Sequence, residues 1–411
     1  MVAFDRCIFG DKIVMASILR AAFMLCGESI NVLLNETALV EPWAKYAWVR
    51  LIASDAAERI SSVSGTELCK WYGVPRKKVS RVLGALESAG VLERVLSTSS
   101  GRGRPVKRYR LVRHPPAHVP ARDWESIHDE KIKHLLRYEL CTPSGELEKY
   151  SSDLGPANAA RLGEDSLSVV DRLILAVLVC HANEFGLVAE LGMAEIASAA
   201  CTGQRGVKGC LERFTESGII SWRVHGLSSP ILTRMKGVYL LNLEHACFGG
   251  NNNGRAVERE IKFSIPYPEE AHFMVRKCFK EELLRINKYI DWKICEYAAY
   301  LINECKMPEK YSPAGVDIKR EVIFSDFKLG ASNKFSGCSE VELKEAFFAL
   351  VDDVNWYSYK LAHEILSQLS RLNFFKDDGG FKITVIPQYV PARMSGGVGR
   401  NYVLVLIRSV S

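Results

Sequence analysis

The stretch Thr66–Val95 reads TELCKWYGVPRKKVSRVLGALESAGVLERV, and the chain contains a second version of it 128 residues later. Ala194–Arg223 reads AEIASAACTGQRGVKGCLERFTESGIISWR and aligns with the first stretch without a gap. The positions that agree are Glu67 with Glu195, Leu68 with Ile196, Val79 with Val207, Leu83 with Leu211, and Gly90 with Gly218. Each copy predicts a short helix, a turn, a longer helix, a glycine and the start of an apolar strand.

This order of elements is that of a helix-turn-helix followed by a wing, which is a β-hairpin beside the longer helix. In the first copy we predict helices over Trp43–Ala57, Thr66–Trp71 and Pro75–Ala89, with wing strands over Val91–Leu96 and Val106–Val112. In the second copy we predict helices over Leu167–Asn183, Met193–Ala200 and Gly203–Ser217, with wing strands over Ile219–His225 and Val238–Leu243. Pro75 is expected as a first helical residue, because a missing N–H costs nothing there.

The positive charge of the chain is concentrated in the first copy. Lys70–Arg113 holds twelve Lys and Arg residues against two Glu residues, a local charge of +10 in a chain of 411 residues with a net charge of +6. The remaining residues therefore sum to −4. Because focused charge attracts polyanions better than a diffuse excess does, this distribution favours a nucleic-acid partner.

The longer helix of the first copy is the predicted recognition helix, with an apolar stripe on one face and polar residues on the other. Its wing tip, Gly101–Pro105, reads GRGRP. Glycines let a backbone approach a narrow groove, and arginines between them reach the floor of the minor groove in A·T tracts. The residues predicted to bind nucleic acid are Arg76, Lys77, Lys78, Ser80, Arg81, Arg102, Arg104, Lys107 and Arg108 in the first copy and Arg205 and Lys208 in the second.

The first copy resembles the winged-helix superfamily of bacterial regulators, in the broad company of the MarR, ArsR and PadR families. The resemblance is carried by the helix-turn-helix, by ESAGVLERV after it, and by GRGRPVKRYRLV. It implies that Lys77, Ser80 and Arg81 lie in the major groove and that Arg102 and Arg104 lie on the wing. No single family is matched over the whole chain, so the resemblance implies no particular ligand or target.

The second copy departs from the first on its outward face. That face carries Arg205, Lys208, Gly209 and Glu212, and its wing lacks a GRGRP sequence. Two roles are open for it, because a fold does not fix a function. It makes a second contact with DNA, which we favour slightly, or it has become a protein-contact module.

The chain is long enough for several domains, each with its own core. We predict a mainly α protein with small β wings, of class α+β, in which tandem winged helix-turn-helix domains precede a C-terminal α+β domain. The predicted domains are an N-terminal helical segment at 1–41, the first winged helix at 42–113, a linker with a connecting helix at 114–165, the second winged helix at 166–248, and the C-terminal domain at 255–411.

The C-terminal domain carries a helical pattern followed by two alternating segments. Helices are predicted over Glu270–Cys305, Glu340–Asp352 and Tyr359–Phe374, and strands over Phe381–Ile386 and Tyr402–Ile407. The last helix and the two strands also fit a third, degenerate winged helix, so this alternative stays beside the α+β domain.

No catalytic, cofactor or metal site is predicted. His363 and Glu364 begin a zinc-protease pattern, but position 367, where the second histidine would be needed, is Ser367. The glycine-rich run Gly396–Gly399 lacks the lysine of a phosphate-binding loop. The nine histidines show no metal-ligand spacing. We therefore expect a protein that is not an enzyme.

The apolar run Ile13–Leu25 contains Arg20 and is too short to span a bilayer. With twelve cysteines and no CxxC pair, the composition is typical of a reducing compartment. We expect a cytoplasmic, nucleoid-associated protein with no membrane partner. Residues 10–35 are apolar enough to supply a dimer helix or to cap the first core, so homodimer formation stays open.

These observations predict a sequence-specific protein that binds double-stranded DNA and regulates transcription, with a recognition helix in the major groove and a basic wing in the minor groove. The tandem arrangement also resembles plasmid replication initiators, so a replication initiator of a plasmid or mobile element is the first alternative. A non-catalytic protein-assembly factor is the second. Partners beyond DNA would be the transcription or replication machinery.

Overall fold

The fold is that of a computed structural model, which combines α-helices with small β-sheets. It describes residues 41–53, 63–72, 74–95, 107–111, 128–136, 167–249, 257–263, 272–305, 323, 326–329, 337–371, 380–389 and 401–410. The mixed α+β class is thereby confirmed. The chain divides into two compact units: an N-terminal unit of Met1–Arg223 with Val238–Asn251, and a C-terminal unit of Val224–Gly237 with Asn252–Ser411.

The first copy begins with a helix and continues as strand, two helices and two strands. Its elements are α1 (Pro42–Ala53), β1 (Val63–Ser64), α2 (Gly65–Tyr72), α3 (Arg76–Ser88), β2 (Leu92–Val95) and β3 (Arg108–Leu111). The three strands form one sheet in the order β1-β3-β2, and β3 pairs antiparallel with both neighbours. A short helix, α4 (Asp129–Leu135), follows.

The second copy repeats this order. Its elements are α5 (Val169–Cys180), β4 (Leu187–Leu191), α6 (Met193–Ala199), α7 (Gln204–Glu216), β5 (Ile220–Val224) and β8 (Gly237–Leu241), with the sheet order β4-β8-β5. Gly65 and Met193 begin α2 and α6, and Arg76 and Gln204 begin α3 and α7. Both pairs of starting residues differ by the 128 positions of the sequence repeat.

Both copies and α4 contribute to one continuous hydrophobic core. Leu86 of α3 and Phe214 of α7 are both buried in it. Polar contacts fasten α4 to helices of both copies, because Tyr46 Oη donates to the carbonyl oxygen of Leu136 (3.2 Å) and Arg172 Nη1 donates to that of Leu135 (2.8 Å). The two copies are therefore parts of one packed unit.

The C-terminal unit contains a hairpin, two long helices and a second sheet. Its elements are β6 (Leu227–Ser229), β7 (Leu232–Met235), β9 (Val257–Lys262), α8 (Phe273–Cys305), α9 (Glu340–Arg371), β10 (Gly380–Tyr389) and β11 (Asn401–Val410). The sheet order is β10-β11-β9, with antiparallel pairs. Asn303 fastens α8 to this sheet, because its side chain exchanges two hydrogen bonds of 2.8 Å with the backbone of Ile383.

The prediction of two helices over Glu340–Asp352 and Tyr359–Phe374 is wrong, since α9 runs unbroken from Glu340 to Arg371. No proline or glycine interrupts the residues between the two predicted segments. Val354 and Ser358 are buried there, and Ser358 Oγ bonds back to the carbonyl oxygen of Val354 (2.7 Å). Burial therefore continues through residues 353–358, which lie between the two predicted helices.

Several predictions lie outside the described residues. They concern the dimer helix at 10–35, the wing tip with Arg102 and Arg104, most of the linker at 114–165, and most of the residues between the domains predicted at 166–248 and 255–411. Among the helices that the structure does describe, none is long and apolar enough to cross a membrane.

Candidate nucleic-acid interface

The recognition helix predicted for the first copy corresponds to α3. Pro75 precedes it with extended backbone angles (φ −57°, ψ 136°), so Pro75 is the N-cap and not the first helical residue as predicted. At the other end Gly90 has φ +67°, a left-handed conformation that only glycine adopts readily. The N–H of Val91 then donates to the carbonyl oxygen of Leu86 (2.9 Å), which turns the chain from α3 into β2.

The two faces of α3 differ as the sequence pattern predicts. Val82, Leu83 and Leu86 are buried in the core. On the other side, all five predicted site residues of this helix are exposed: Arg76, Lys77, Lys78, Ser80 and Arg81. The structure therefore brings four cationic side chains and a hydroxyl together on the surface of one helix. Such a surface fits phosphates and base edges.

Two of these cations contact the start of α1, which sequence reasoning missed. The Lys78 ammonium lies 4.6 Å from the ring centroid of Trp43, and Arg81 Nη2 lies 3.6 Å from Glu41 Oε1. Glu41 is itself held in place, because its Oε2 accepts a hydrogen bond from the N–H of Ala44 (2.6 Å). The sequence Glu41-Pro42 at a helix start is the signal that could have indicated this cap.

The strands next to α3 add charge on one face of the sheet. Tyr109 is buried, so its neighbours in the strand, Arg108 and Arg110, point to the opposite face, where both are exposed. Arg110 pairs with Glu93 on the neighbouring strand at 2.9 Å, which offsets its charge. Lys107 is exposed just before β3. Of the predicted wing residues, the structure describes Lys107 and Arg108, and both are exposed.

The second copy keeps the helix but changes its outer face. Arg205 and Lys208 are exposed on α7 as predicted, yet Lys208 Nζ lies 4.0 Å from Glu212 Oε1 one turn later. The positions that align with Lys78 and Arg81 are Gly206 and Gly209. Arg76 aligns with the uncharged Gln204, and over the whole helix the formal charge is +3 in α3 and +1 in α7.

A second charged contact on α7 joins it to another helix of the same copy. Arg213 Nη2 lies 2.6 Å from Asp171 Oδ1, and Asp171 forms a capping box with Ser168 at the start of α5. Burial alone would raise the pKa of Asp171, but hydrogen bonds from Ser168 and the charge of Arg213 hold that pKa below its ordinary value. The sequence pattern missed this pair, which brings together residues 42 positions apart.

The hairpin at the wing position of the second copy, β6 with β7, belongs to the C-terminal unit. Ile231 and Leu232 at its turn are buried. Leu232 forms a β-bridge with Phe327, and the N–H of Lys328 donates to the carbonyl oxygen of Ile231 (3.2 Å). The apolar tip of this hairpin therefore contacts other residues of the C-terminal unit.

Within the described part of the chain, no group of three or more His, Cys, Asp or Glu side chains is placed to hold a metal ion. Comparisons with protein-family models, curated proteins and solved structures find no match. The resemblance to winged-helix regulators therefore stays a prediction.

Proposed function

We propose that this protein binds double-stranded DNA through a winged helix-turn-helix formed by the first copy, and that it regulates transcription. In this proposal α3 enters the major groove, and the hairpin of β2 and β3 lies beside it. Lys77 and Ser80, on the outward face of α3, contact base edges, while Arg108 and Lys107 contact phosphates.

The observation that carries this proposal is the one-sided charge of α3. Its apolar stripe is fully used by the core, and four cations remain on the exposed side. A solvated helix face usually mixes both signs of charge, whereas α3 has a single acidic residue, Glu87. The exposed Arg108 on β3 extends the positive surface beyond the helix.

The second copy serves as a scaffold in this proposal. Three of the four cationic positions of α3 are uncharged in α7, and the outward Lys208 of α7 is paired with Glu212. The hairpin in the wing position is packed within the C-terminal unit. These features favour protein contact over the weak DNA contact that the sequence slightly favours.

The test uses the full chain and a matched pair of substitutions. Lys77 and Arg205 occupy equivalent positions in the two copies, and both are exposed. After duplexes that bind the protein have been selected from a random pool, affinity is measured by fluorescence anisotropy over a range of salt concentrations. Lys77→Ala should weaken binding by about 1–3 kcal/mol, while Arg205→Ala should leave it nearly unchanged.

The salt dependence provides an independent criterion. DNA binding through several phosphates weakens steeply as salt rises, because counterions are released from the duplex. Absence of binding to any duplex at low salt contradicts the proposal and favours an assembly factor. Equal losses for Lys77→Ala and Arg205→Ala assign DNA contact to both copies.

A replication initiator is the second candidate function. The observation that favours it is the division of roles between the copies, with one exposed basic helix and one hairpin engaged by protein. The tandem arrangement of plasmid initiators, which this chain resembles, uses one unit for DNA and the other for dimer formation or a second half-site. A genome-wide map of bound DNA distinguishes the two, since promoters and a single origin give different patterns.

A further inference from the structure

The two long helices of the C-terminal unit expose several large apolar side chains to solvent. Five large apolar side chains on them are between half and two thirds exposed: Phe273 and Leu284 on α8, and Val341, Phe348 and Trp356 on α9. Large exposed apolar residues that lie close together mark interaction surfaces, whereas scattered ones need no explanation.

The spacing places these side chains on one stripe of each helix. Val341, Phe348 and Trp356 are separated by seven and eight residues, which places all three within a sector of about 80° on an α-helix. Phe273 and Leu284 are eleven residues apart, which is close to three turns. Each helix therefore carries an apolar stripe on its solvent side.

The charges beside the two stripes have opposite signs. Residues 273–288 of α8 have a formal charge of +3, and residues 340–356 of α9 have a formal charge of −4. The two regions are neighbours in the chain's own fold, because the Lys277 ammonium pairs with the Glu342 carboxylate. One unit thus presents both a basic apolar stripe and an acidic apolar stripe.

We propose that this surface, defined by the solvent-facing stripes of α8 and α9, binds a second copy of the same chain. A two-fold dimer places the basic stripe of each protomer against the acidic stripe of its partner, so the same favourable contact forms twice. A surface with one sign of charge would repel itself in such a contact, whereas this one is self-complementary. Trp356 supplies a large aromatic anchor of the kind that dominates interface energies.

The first experiment measures the mass of the full chain by sedimentation velocity at increasing concentration. A monomer–dimer equilibrium is expected, and substitution of Phe348→Glu with Trp356→Glu should weaken the dimer at least about tenfold. Met193→Glu is the matched control, since Met193 is also exposed but lies on α6 of the N-terminal unit. A chain that stays monomeric at every concentration overturns the proposal.

A charge-exchange experiment identifies the two surfaces that meet. One variant reverses α8 (Lys280→Glu, Lys288→Glu), and another reverses α9 (Glu345→Lys, Asp352→Lys); all four residues are exposed. Each variant alone should dimerise poorly, because like charges then face each other at both contacts. Mixing the two variants restores opposite charges at both contacts and should restore the dimer.

Circular dichroism of each variant checks that the helices remain folded. Dimers that persist in both reversed variants would assign self-association to another part of the chain, such as the helix predicted at residues 10–35. A mixture that stays monomeric would contradict the pairing of α8 with the partner's α9. None of these measurements involves DNA, so the dimer and the DNA-binding function succeed or fail separately.

Discussion

Helices α3 and α7 have the same length and the same buried side, but they carry different residues on their outer sides. Leu86 and Phe214 occupy equivalent positions, and both are buried in the shared core. On the outer side, Lys78 and Arg81 of α3 correspond to Gly206 and Gly209 of α7. The buried face is constrained by packing, so divergence is concentrated on the face that packing does not use.

The hairpins of the two copies differ even more than the helices. In the first copy, Arg108 is an exposed residue of the hairpin strand β3. In the second copy the segment between β5 and β8 forms a hairpin with a buried apolar tip. The described part of the first repeat therefore presents a charged surface, while the second makes an apolar contact, and this difference supports separate roles.

The largest expected effect tests whether the two copies are one cooperative unit. Phe214→Ala should destabilise the protein by about 3–5 kcal/mol and the equivalent Leu86→Ala by about 2–5 kcal/mol, because each leaves a cavity in a close-packed core. When urea unfolding is monitored by fluorescence and by circular dichroism, both copies should unfold in one transition. Two separate transitions, each moved by only one of the substitutions, would contradict a shared core.

The glycines that end α3 and α7 should behave alike, although the helices carry different charges. Gly90 and Gly218 have φ values of +67° and +77°, and a Cβ at either position would meet no atom within 4 Å beyond the glycine and its two chain neighbours. Substitution by alanine should therefore lower the free energy of unfolding by about 1–2 kcal/mol at either site, because a residue with a Cβ disfavours the left-handed conformation. A much larger loss at one site in thermal or urea unfolding would mean that the two turns are not equivalent.

Acid should destabilise the second copy through a pair that the first copy lacks. The pKa of Asp171 is lower in the folded protein than its ordinary value of 3.8. Its charged form therefore stabilises the fold above that value, and this stability is lost as pH falls through the folded pKa. Asp171→Asn should lower the free energy of unfolding at pH 7 and reduce its decline towards pH 3. Lys208→Gln, on the helix α7 that also carries Arg213, is the control.

The smallest expected effect concerns Glu41, which neutralises Arg81 beside the proposed interface. Arg81 is 73% exposed, so the pair contributes little to stability, roughly 0.2–1 kcal/mol. Glu41→Gln removes the opposing carboxylate while an amide oxygen still caps α1, so non-specific DNA affinity should rise slightly. An unchanged salt dependence of binding would indicate that Arg81 does not contact phosphate.

The helical parts of both copies follow closely from local sequence. Their glycines and apolar spacings predict α3 and α7 to within a residue or two at each end. Strand β1, with only Val63 and Ser64, is too short to leave a periodic signal, and it forms because β3 offers a partner. The Asp171–Arg213 pair and the bridge from Leu232 to Phe327 depend on contacts between distant residues, which no local pattern records.

The common core of the two copies also determines how far apart two contacts with one ligand can lie. Tyr46 and Arg172 fasten helices of different copies to the carbonyl groups at the end of α4. The shared core consequently fixes the separation between the outer faces of α3 and α7. Lengthening the chain between 137 and 166 should leave that separation unchanged. The spacing of any pair of contacts made by these helices is therefore set by the packed core and not by the linker.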